Sequence, residues 1–498
     1  MTDRAETNRP AKGQATSRIL KVLGIFSGVQ GTQMLCSIVR VKLVALWIGA
    51  AGIGLFGIFN SALEMISNIS QMGLRTSAVR AIAASPRQSV HAMVLAVRRW
   101  AWVLGLAGAL LTLGLALPLS RFAFGDSSHA WGFALLSAAI MLSALSAAEG
   151  AVFQGMKHLR QLARGSMWGT LGGLALSVPM YRFWGADSIV PSIVAFVGCT
   201  WLGLRLCRQP AEPPARHETQ SWRQSLAMGR PVVILGAFLT VSEFLTSFVS
   251  FAFMSWLNHE AAEAEVGYFQ AGFTVVNRYL GVVFTAIAME YFPRLSAAAA
   301  SRRGSGLFVS HEIQIVLFII LPAATLLTAL DRWVITALYS SDFEVVTPFV
   351  TWSAAGTVFR AVSWCMAFAI LARGDGRAYL CSEALSAVFY FCCNVVCFKL
   401  WGLTGLGVAY CAWYGFYAVV VAIIYRRRLG LTVSRGAIAT TAAVTAVALA
   451  CSAARTWCGW EYAAAIAAVS AAVCWLVLKV RFLKAGVGLR AIFRGRRR

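Results

Sequence analysis

Long apolar stretches, separated by short polar connections, run through almost the whole sequence. A helix needs about 20 apolar residues to cross the ~30 Å hydrocarbon core of a bilayer. Backbone groups find no water there, so stretches of this length predict transmembrane helices, and we expect an all-α polytopic membrane protein. The fourteen predicted spans are 19–48, 53–83, 92–117, 130–155, 160–181, 187–206, 225–257, 265–292, 308–330, 345–371, 377–399, 403–425, 436–454 and 461–480.

The composition excludes most soluble classes. Hydrophobic residues make up 59% of the 498 residues and charged residues only 13%, whereas soluble domains are about one-quarter charged. That rules out a cytosolic enzyme, a disordered chain and a secreted disulfide scaffold. The 44 basic residues exceed the 20 acidic ones, but they are scattered between apolar runs instead of forming one basic surface. We therefore expect no nucleic-acid partner.

The distribution of basic residues predicts the orientation in the membrane. Counted on the sequence, 33 of the 44 fall in alternate connections or at the two ends of the chain, and five fall in the opposite loops. Cytoplasmic loops carry the excess of Lys and Arg in membrane proteins. Both termini are therefore predicted to be cytoplasmic, with an even number of spans.

The longest polar interruption divides the predicted spans into two halves. A faint internal repeat supports this division, because Ala51–Gly57 and Glu265–Gln270 each open a corresponding helix. Repeats around a central substrate cavity are a common transporter plan. The predicted organisation is a cytoplasmic N-terminal arm at 1–18, a six-helix lobe at 19–208, a cytoplasmic linker at 209–224, a second six-helix lobe at 225–429, an additional helix pair at 430–482 and a basic cytoplasmic tail at 483–498.

The six remaining basic residues lie within predicted spans. Arg75 and Arg80 are predicted near the cytoplasmic end, where long side chains reach water. The other four, near the midplane, cost at least ~2.5–3.5 kcal/mol each on insertion scales and normally face a cavity or a partner. These four are Arg40, Lys42, Arg278 and Arg360.

Two carboxylates, Glu64 and Glu243, are also predicted at mid-membrane depth. One interpretation pairs Glu64 with Lys42 or Arg40 so that both charges can insert. The other makes Glu64 and Glu243 proton-coupling groups. Four basic against two acidic groups leave a net positive site, which favours phosphate or pyrophosphate because Arg binds such oxygens in bidentate fashion. A cationic drug would need the opposite sign.

No pattern in the sequence indicates a metal, a cofactor or an enzymatic reaction. Most of the 12 cysteines lie in apolar stretches, where thiols behave as small hydrophobes. Cys392, Cys393 and Cys397 share one predicted helix without a neighbouring His. There is neither an HExxH motif nor a phosphate-binding Walker loop.

Several short motifs resemble those of Wzx-type oligosaccharide flippases. The longest runs from Arg40 to Gly57 (RVKLVALWIGAAGIGLFG) and resembles the junction of helices one and two in that family. The likeness continues, in order along nearly the whole chain, in Gly73-Leu74-Arg75, Ala78-Val79-Arg80, Val266–Gly272, Tyr291–Leu295 and Gly402–Val408.

This resemblance implies membership of the multidrug/oligosaccharidyl-lipid/polysaccharide exporter (MOP) superfamily. It implies a flippase of the bacterial inner membrane that carries polyprenyl-pyrophosphate-linked O-antigen or exopolysaccharide units to the periplasmic leaflet by alternating access, coupled to an ion gradient. Carried over by position, Arg40, Lys42, Arg278 and Arg360 would contact the pyrophosphate. Partners would be the lipid-linked glycan, membrane lipids, a polysaccharide polymerase and a chain-length regulator.

Three alternatives stay open. A lipid II flippase of the same superfamily would also have fourteen helices and a basic cavity. A cation-coupled multidrug exporter would have twelve helices and an acid on helix one, which this sequence lacks. The third alternative is a scaffold for polymerase assembly. Genes for glycosyltransferases and a polymerase beside this one would favour glycan export over lipid II.

Overall fold

The computed structural model describes residues 31–86, 89–208, 221–298, 302–373 and 375–484. Over these ranges the chain is almost entirely helical and contains no β-strand. The helices are α1 (31–47), α2 (Gly49–Gln71), α3 (Leu74–Ala84), α4 (Val90–Gly114), α5 (Ala116–Phe124), α6 (Ala130–Gly155), α7 (Leu159–Trp184), α8 (Ile189–Leu206), α9 (Trp222–Glu260), α10 (Glu263–Thr274), α11 (Gly281–Ala298), α12 (Arg302–Ala329), α13 (Asp331–Leu338), α14 (Thr347–Ala372), α15 (Gly376–Arg427), α16 (Arg435–Trp457) and α17 (Trp460–Lys484).

The predicted all-α membrane fold is confirmed. Among the described residues, 11 helical segments are long and apolar enough to cross a membrane. Two of these, Leu159–Leu206 and Gly376–Arg427, contain 48 and 52 residues and are long enough for two crossings each. With α1, which supplies the described part of the first predicted span, the chain has about fourteen transmembrane helices. The predicted N-terminal arm, and most of the linker and tail, lie outside the described residues.

The second predicted span, 53–83, is not one continuous helix. It is interrupted at Met72 and Gly73, which both have positive φ, 43° and 59°. Gly73 also lies against α9: a Cβ on Gly73 would stand 2.3 Å from the backbone oxygen of Gly236. Only glycine combines this backbone conformation with so close an approach. The break therefore depends on a tertiary contact that the apolar pattern does not record.

The structure divides into two compact units. Unit 1 contains residues 1–48 and 58–247, and unit 2 contains 49–57 and 248–498. The division into six-helix lobes at 19–208 and 225–429 stays a prediction.

Unit 1 has its core where α3, α4 and α6 meet the start of α9. Buried apolar side chains from these helices form one cluster, which includes Leu74, Val97, Leu145 and Val232. Beside it, α7 and α8 pack at backbone distance through glycines; a Cβ on Gly203 would stand 2.4 Å from the oxygen of Gly165. Small residues allow helices to approach this closely in membranes, where dispersion contacts stabilise the packing.

Unit 2 has a larger core formed by α11, α12, α14, the second half of α15 and α16. Tyr291 is fully buried there and donates from its hydroxyl to the backbone oxygen of Cys365 at 2.8 Å. Within α15, Gly402 has non-helical angles (φ 58°, ψ −139°). The helix therefore turns back at the boundary between the predicted spans 377–399 and 403–425.

The two segments of the predicted repeat meet inside unit 2. A Cβ on Gly54 of α2 would stand 2.0 Å from the oxygen of Glu263, and a Cβ on Gly267 of α10 would stand 1.9 Å from the oxygen of Ala50. The two glycines also face each other, because a Cβ on Gly54 would stand 3.1 Å from the nitrogen of Gly267 and a Cβ on Gly267 would stand 3.0 Å from the nitrogen of Gly54. The contact is therefore reciprocal. Both backbones require a glycine at the crossing.

We predict that Gly267→Ala destabilises the protein, because its methyl group would overlap the α2 backbone. Overpacking of this kind costs about 1–3 kcal/mol. The measurement is the midpoint of thermal unfolding of the purified chain in detergent. Gly415→Ala is the matched control, since Gly415 also lies within a helix of unit 2 and a Cβ there would have no neighbour within 4 Å. Equal midpoints for the two variants would contradict a tight crossing at Gly267.

Candidate functional site

The six predicted site residues are distributed over both units. Arg40, Lys42, Glu64 and Glu243 belong to unit 1, and Arg278 and Arg360 belong to unit 2.

Arg40 is only 6% exposed and packs inside unit 1. Its Nε donates to the Tyr181 hydroxyl at 2.8 Å, and its Nη2 donates to Ser192 Oγ at 3.4 Å. The guanidinium carbon also lies 4.6 Å from the ring centroid of Phe196. These partners on α7 and α8 anchor α1 to the helices that follow it. The role of Arg40 as a pyrophosphate contact remains a prediction.

Lys42 is half-buried, whereas the side chains of Glu64 on α2 and Glu243 on α9 are exposed. Asn68, one helical turn after Glu64, donates from Nδ2 to Ser247 Oγ at 2.9 Å and to the backbone oxygen of Glu243 at 3.5 Å. The structure thus brings the helical segments that carry the two predicted carboxylates next to each other.

The polar side chains beside these carboxylates have structural partners. Besides the contacts of Asn68, Gln71 donates from Nε2 to Ser143 Oγ on α6 at 3.1 Å. Amide side chains commonly join helices in this way within membranes. The polar face of α2 therefore serves in part to hold α6 and α9 in place.

In unit 2, Arg278 lies on a π-helical turn. This turn, Val275–Tyr279, interrupts the helical run between α10 and α11. Such turns occur frequently at functional sites because they change the direction of the side chains that they carry. The side chain of Arg278 is exposed. Its neighbour Asn277 accepts from the Tyr410 hydroxyl at 3.3 Å, and its buried Nδ2 has no hydrogen-bond partner among the described residues.

Arg360, on α14, is enclosed by aromatic side chains. Its guanidinium carbon lies 4.8 Å from the ring centroid of Phe284 on α11 and 5.8 Å from that of Tyr414 on α15. Its Nη1 donates to the Tyr410 hydroxyl at 3.5 Å. Tyr410 therefore links Arg360 to the π-helical turn. We call Asn277, Arg278, Phe284, Arg360, Tyr410 and Tyr414 the arginine cage.

The partners of Arg360 differ from those of the buried carboxylates Glu149 and Asp331, which form ion pairs. Arg98 holds Glu149 through two hydrogen bonds of 2.8 Å. The fully buried Asp331 accepts from Arg455 at 2.9 Å and from Thr351 at 2.7 Å. In the part of the chain that the structure describes, no carboxylate forms an ion pair with Arg360. Among the described residues, its positive charge is met by a phenol and two ring faces.

An apolar groove also lies in unit 2. It has a volume of about 1300 Å³ and lies between α14, the second half of α15 and α16. Phe359, the residue before Arg360, contributes to one end, and Arg426 and Arg435 to the other. The wall between them is mostly apolar, with Met366, Val419 and Ile438. The groove can hold a hydrocarbon chain whose polar part lies near a basic residue.

The sequence prediction identified the two arginines of the cage but not its other members. Asn277 and Phe284 flank Arg278 in sequence and carry no charge to single them out. Tyr410, Trp413 and Tyr414 have the i, i+3, i+4 spacing that places side chains on one helix face. This spacing on a predicted span is the sequence signal that predicts an aromatic helix face at Tyr410 and Tyr414.

Chemically, the arginine cage is suited to binding an anion. A guanidinium offers five N–H donors in a planar arrangement that matches phosphate oxygens. The unpartnered Nδ2 of Asn277 is a further donor, and Arg278 is the next residue of the same π-helical turn.

We predict that Arg360→Met leaves thermal stability in detergent unchanged or raises it. Exchanging a desolvated charge for an apolar side chain of similar volume is often neutral or stabilising, and Met packs well against aromatic rings. Asp331→Asn is the contrasting variant, since it deprives Arg455 of its carboxylate and should lower the unfolding midpoint. Equal losses in both variants would make Arg360 a structural residue.

Two family models match this chain over more than half of its length. The model of the lipid II flippase MurJ matches residues 194–476. The model described as polysaccharide biosynthesis protein matches residues 19–299.

The individual relatives have low sequence identity to this chain, but they align with most of its length. The lipid III flippase of Escherichia coli (strain K12) is 21% identical over 407 residues, which is 78% of this chain and 94% of that protein. The structure of the lipid II flippase MurJ in an inward closed conformation aligns with a TM-score of 0.67 at 10% identity, covering 92% of this chain and 99% of that one. An inward-facing multidrug resistance MATE transporter of the MOP superfamily aligns with a TM-score of 0.64 at 13% identity, covering 80% and 94%.

At such identities the structural likeness establishes the fold alone, and the family follows from the two family models. The chain is a multi-pass membrane protein that belongs to the families of these two models, lipid II flippase MurJ and polysaccharide biosynthesis protein.

Proposed function

We propose that this protein translocates a polyprenyl-pyrophosphate-linked oligosaccharide, an O-antigen or exopolysaccharide repeat unit, across the bacterial inner membrane. Transport runs from the cytoplasmic to the periplasmic leaflet by alternating access, with both termini in the cytoplasm. The observation that carries the proposal is the arginine cage, in which Arg360 has no ion-pair partner among the described residues.

A positive charge without a carboxylate inside a membrane helix is costly, and such residues mark substrate pathways. Pyrophosphate offers oxygens that a guanidinium binds in bidentate fashion, and its negative charge removes that cost. In this proposal Arg360 and Arg278 bind the pyrophosphate. Lys42 and Arg40 are proposed as further pyrophosphate contacts.

The polyprenyl chain requires a separate apolar surface. The groove between α14, α15 and α16 provides one within the same unit, because it is lined mostly by apolar side chains and includes Phe359, the residue before Arg360. We propose that the polyprenyl chain of a lipid bound at Arg360 lies along this groove. That arrangement supports an isoprenoid carrier more than a small soluble substrate.

The nature of the glycan has two candidate answers. The match to the polysaccharide biosynthesis model favours a repeat unit of a surface polysaccharide. The match to the MurJ model favours lipid II, the alternative substrate. For the first substrate, a polysaccharide polymerase and a chain-length regulator are the proposed partners.

Complementation tests the proposal. The chain should restore surface polysaccharide in a strain that lacks its oligosaccharide flippase, and Arg360→Met should restore none while reaching the membrane at normal levels. Arg121→Ala is the control, since it removes an exposed arginine of α5, outside the cage, and should complement fully.

Two results would contradict parts of the proposal. Full polysaccharide with Arg360→Met would remove the cage from the substrate path. Rescue of a strain depleted of its lipid II flippase, without rescue of the polysaccharide strain, would reassign the substrate to lipid II.

We propose Glu243 and Glu64 as candidates for coupling transport to an ion gradient. Both carboxylates are exposed on membrane helices of unit 1, on segments that Asn68 holds together. Glu243→Gln keeps the shape and removes the titratable proton, so transport in vesicles should lose its acceleration by an imposed proton gradient. Glu461→Gln, at the start of α17, is the control. An unchanged gradient dependence in Glu243→Gln would exclude Glu243.

A further inference from the structure

Three arginines surround one carboxylate at one end of the helices of unit 1. Glu149 lies on α6, and Arg98 on α4 holds both of its oxygens at 2.8 Å. Arg205 occupies the last turn of α8, and Arg208 follows that helix. These four side chains line a pocket of about 130 Å³.

The pocket carries an excess of positive charge. Arg98 and Glu149 neutralise each other. Arg205 and Arg208 form no ion pair with any residue that the structure describes. Burial and the charges of Arg98 and Arg205 lower the pKa of Arg208, while Glu149 opposes them. Two of the three guanidiniums are therefore available to an anion.

Two tryptophan rings line the pocket together with Ala101, Leu145 and Ala148. The guanidinium carbon of Arg205 lies 5.0 Å from the ring centroid of Trp201, which fixes the arginine at the rim. Trp102 of α4 also lines the pocket and is 46% exposed. Tryptophan is enriched where membrane helices pass through the level of the lipid headgroups.

The surface beside the pocket is apolar. Leu202 and Leu206 of α8 are 47% and 75% exposed. Exposed leucines on a transmembrane helix meet the acyl chains of lipids. A ligand that satisfies both surfaces has an anionic group for the pocket and hydrocarbon chains for the adjoining helix face.

We propose that this pocket binds the headgroup phosphate of an anionic phospholipid, such as phosphatidylglycerol. Basic pockets between membrane helices bind such headgroups, and the volume admits one phosphate. The chemistry is shared with free phosphate, so the acyl chains distinguish the two sources. The site is independent of the proposed substrate path, because all of its residues belong to unit 1 and none belongs to the arginine cage.

The test measures thermal unfolding of the full-length chain in phosphatidylcholine nanodiscs containing increasing fractions of phosphatidylglycerol. The unfolding midpoint of the wild type should rise and saturate. In Arg205→Gln/Arg208→Gln the fraction needed for half of the rise should be at least about tenfold higher. Arg427→Gln/Arg428→Gln removes the same charge from the end of α15 and should respond as the wild type.

Two further arms keep the result interpretable. Arg205→Lys/Arg208→Lys retains the charge and should keep most of the response, which separates lost binding from damaged folding. Inorganic phosphate should not raise the midpoint in pure phosphatidylcholine; an equal rise would make this a free-anion site. A full response in the glutamine variant would overturn the proposal and leave the arginines with a role in topology alone.

Discussion

The requirement that buried charges be compensated governs where several polar side chains of this protein lie. Arg98 and Glu149 satisfy it with two parallel hydrogen bonds, and Asp331 satisfies it with Arg455 and Thr351. Each of these sets joins helices that are distant in sequence, so it fixes the fold while removing the cost of burial. Within the described part of the chain, Arg360 meets a phenol and two aromatic rings and no carboxylate. The ion-paired sets hold helices together, and the surroundings of Arg360 support the proposed anion site.

The fold was predictable from the length of the apolar stretches, because the thickness of the hydrocarbon core sets the length of every crossing helix. The span predicted at 130–155 coincides with α6 (Ala130–Gly155). The boundary predicted between 399 and 403 falls at the turn centred on Gly402. These features depend on short stretches of sequence alone. The depth of a charge in a predicted span also follows from its distance along the chain to the nearest loop. This distance singled out Arg278 and Arg360.

Tertiary partners were beyond the reach of this reasoning. The break at Met72–Gly73 depends on the backbone of Gly236, more than 160 positions later. The surroundings of Arg360 come from α11 and α15, and those of Arg40 from α7 and α8. Spacing along one helix does not reveal which face of another helix it meets. The sequence therefore predicted which charged residues lie within membrane spans, and the structure shows which side chains surround them.

The π-helical turn at Val275–Tyr279 has a mechanical consequence. A π turn contains one residue more than the α-helical ladder requires. If the π turn moves along the helix, each residue that it passes rotates about the helix axis by about 100° and shifts along the axis by about 1.5 Å. Only the hydrogen bonds of one turn need to be exchanged at a time. Arg278 lies on the segment between α10 and α11 where such a change of register can alter the direction of its side chain, while both helices stay folded.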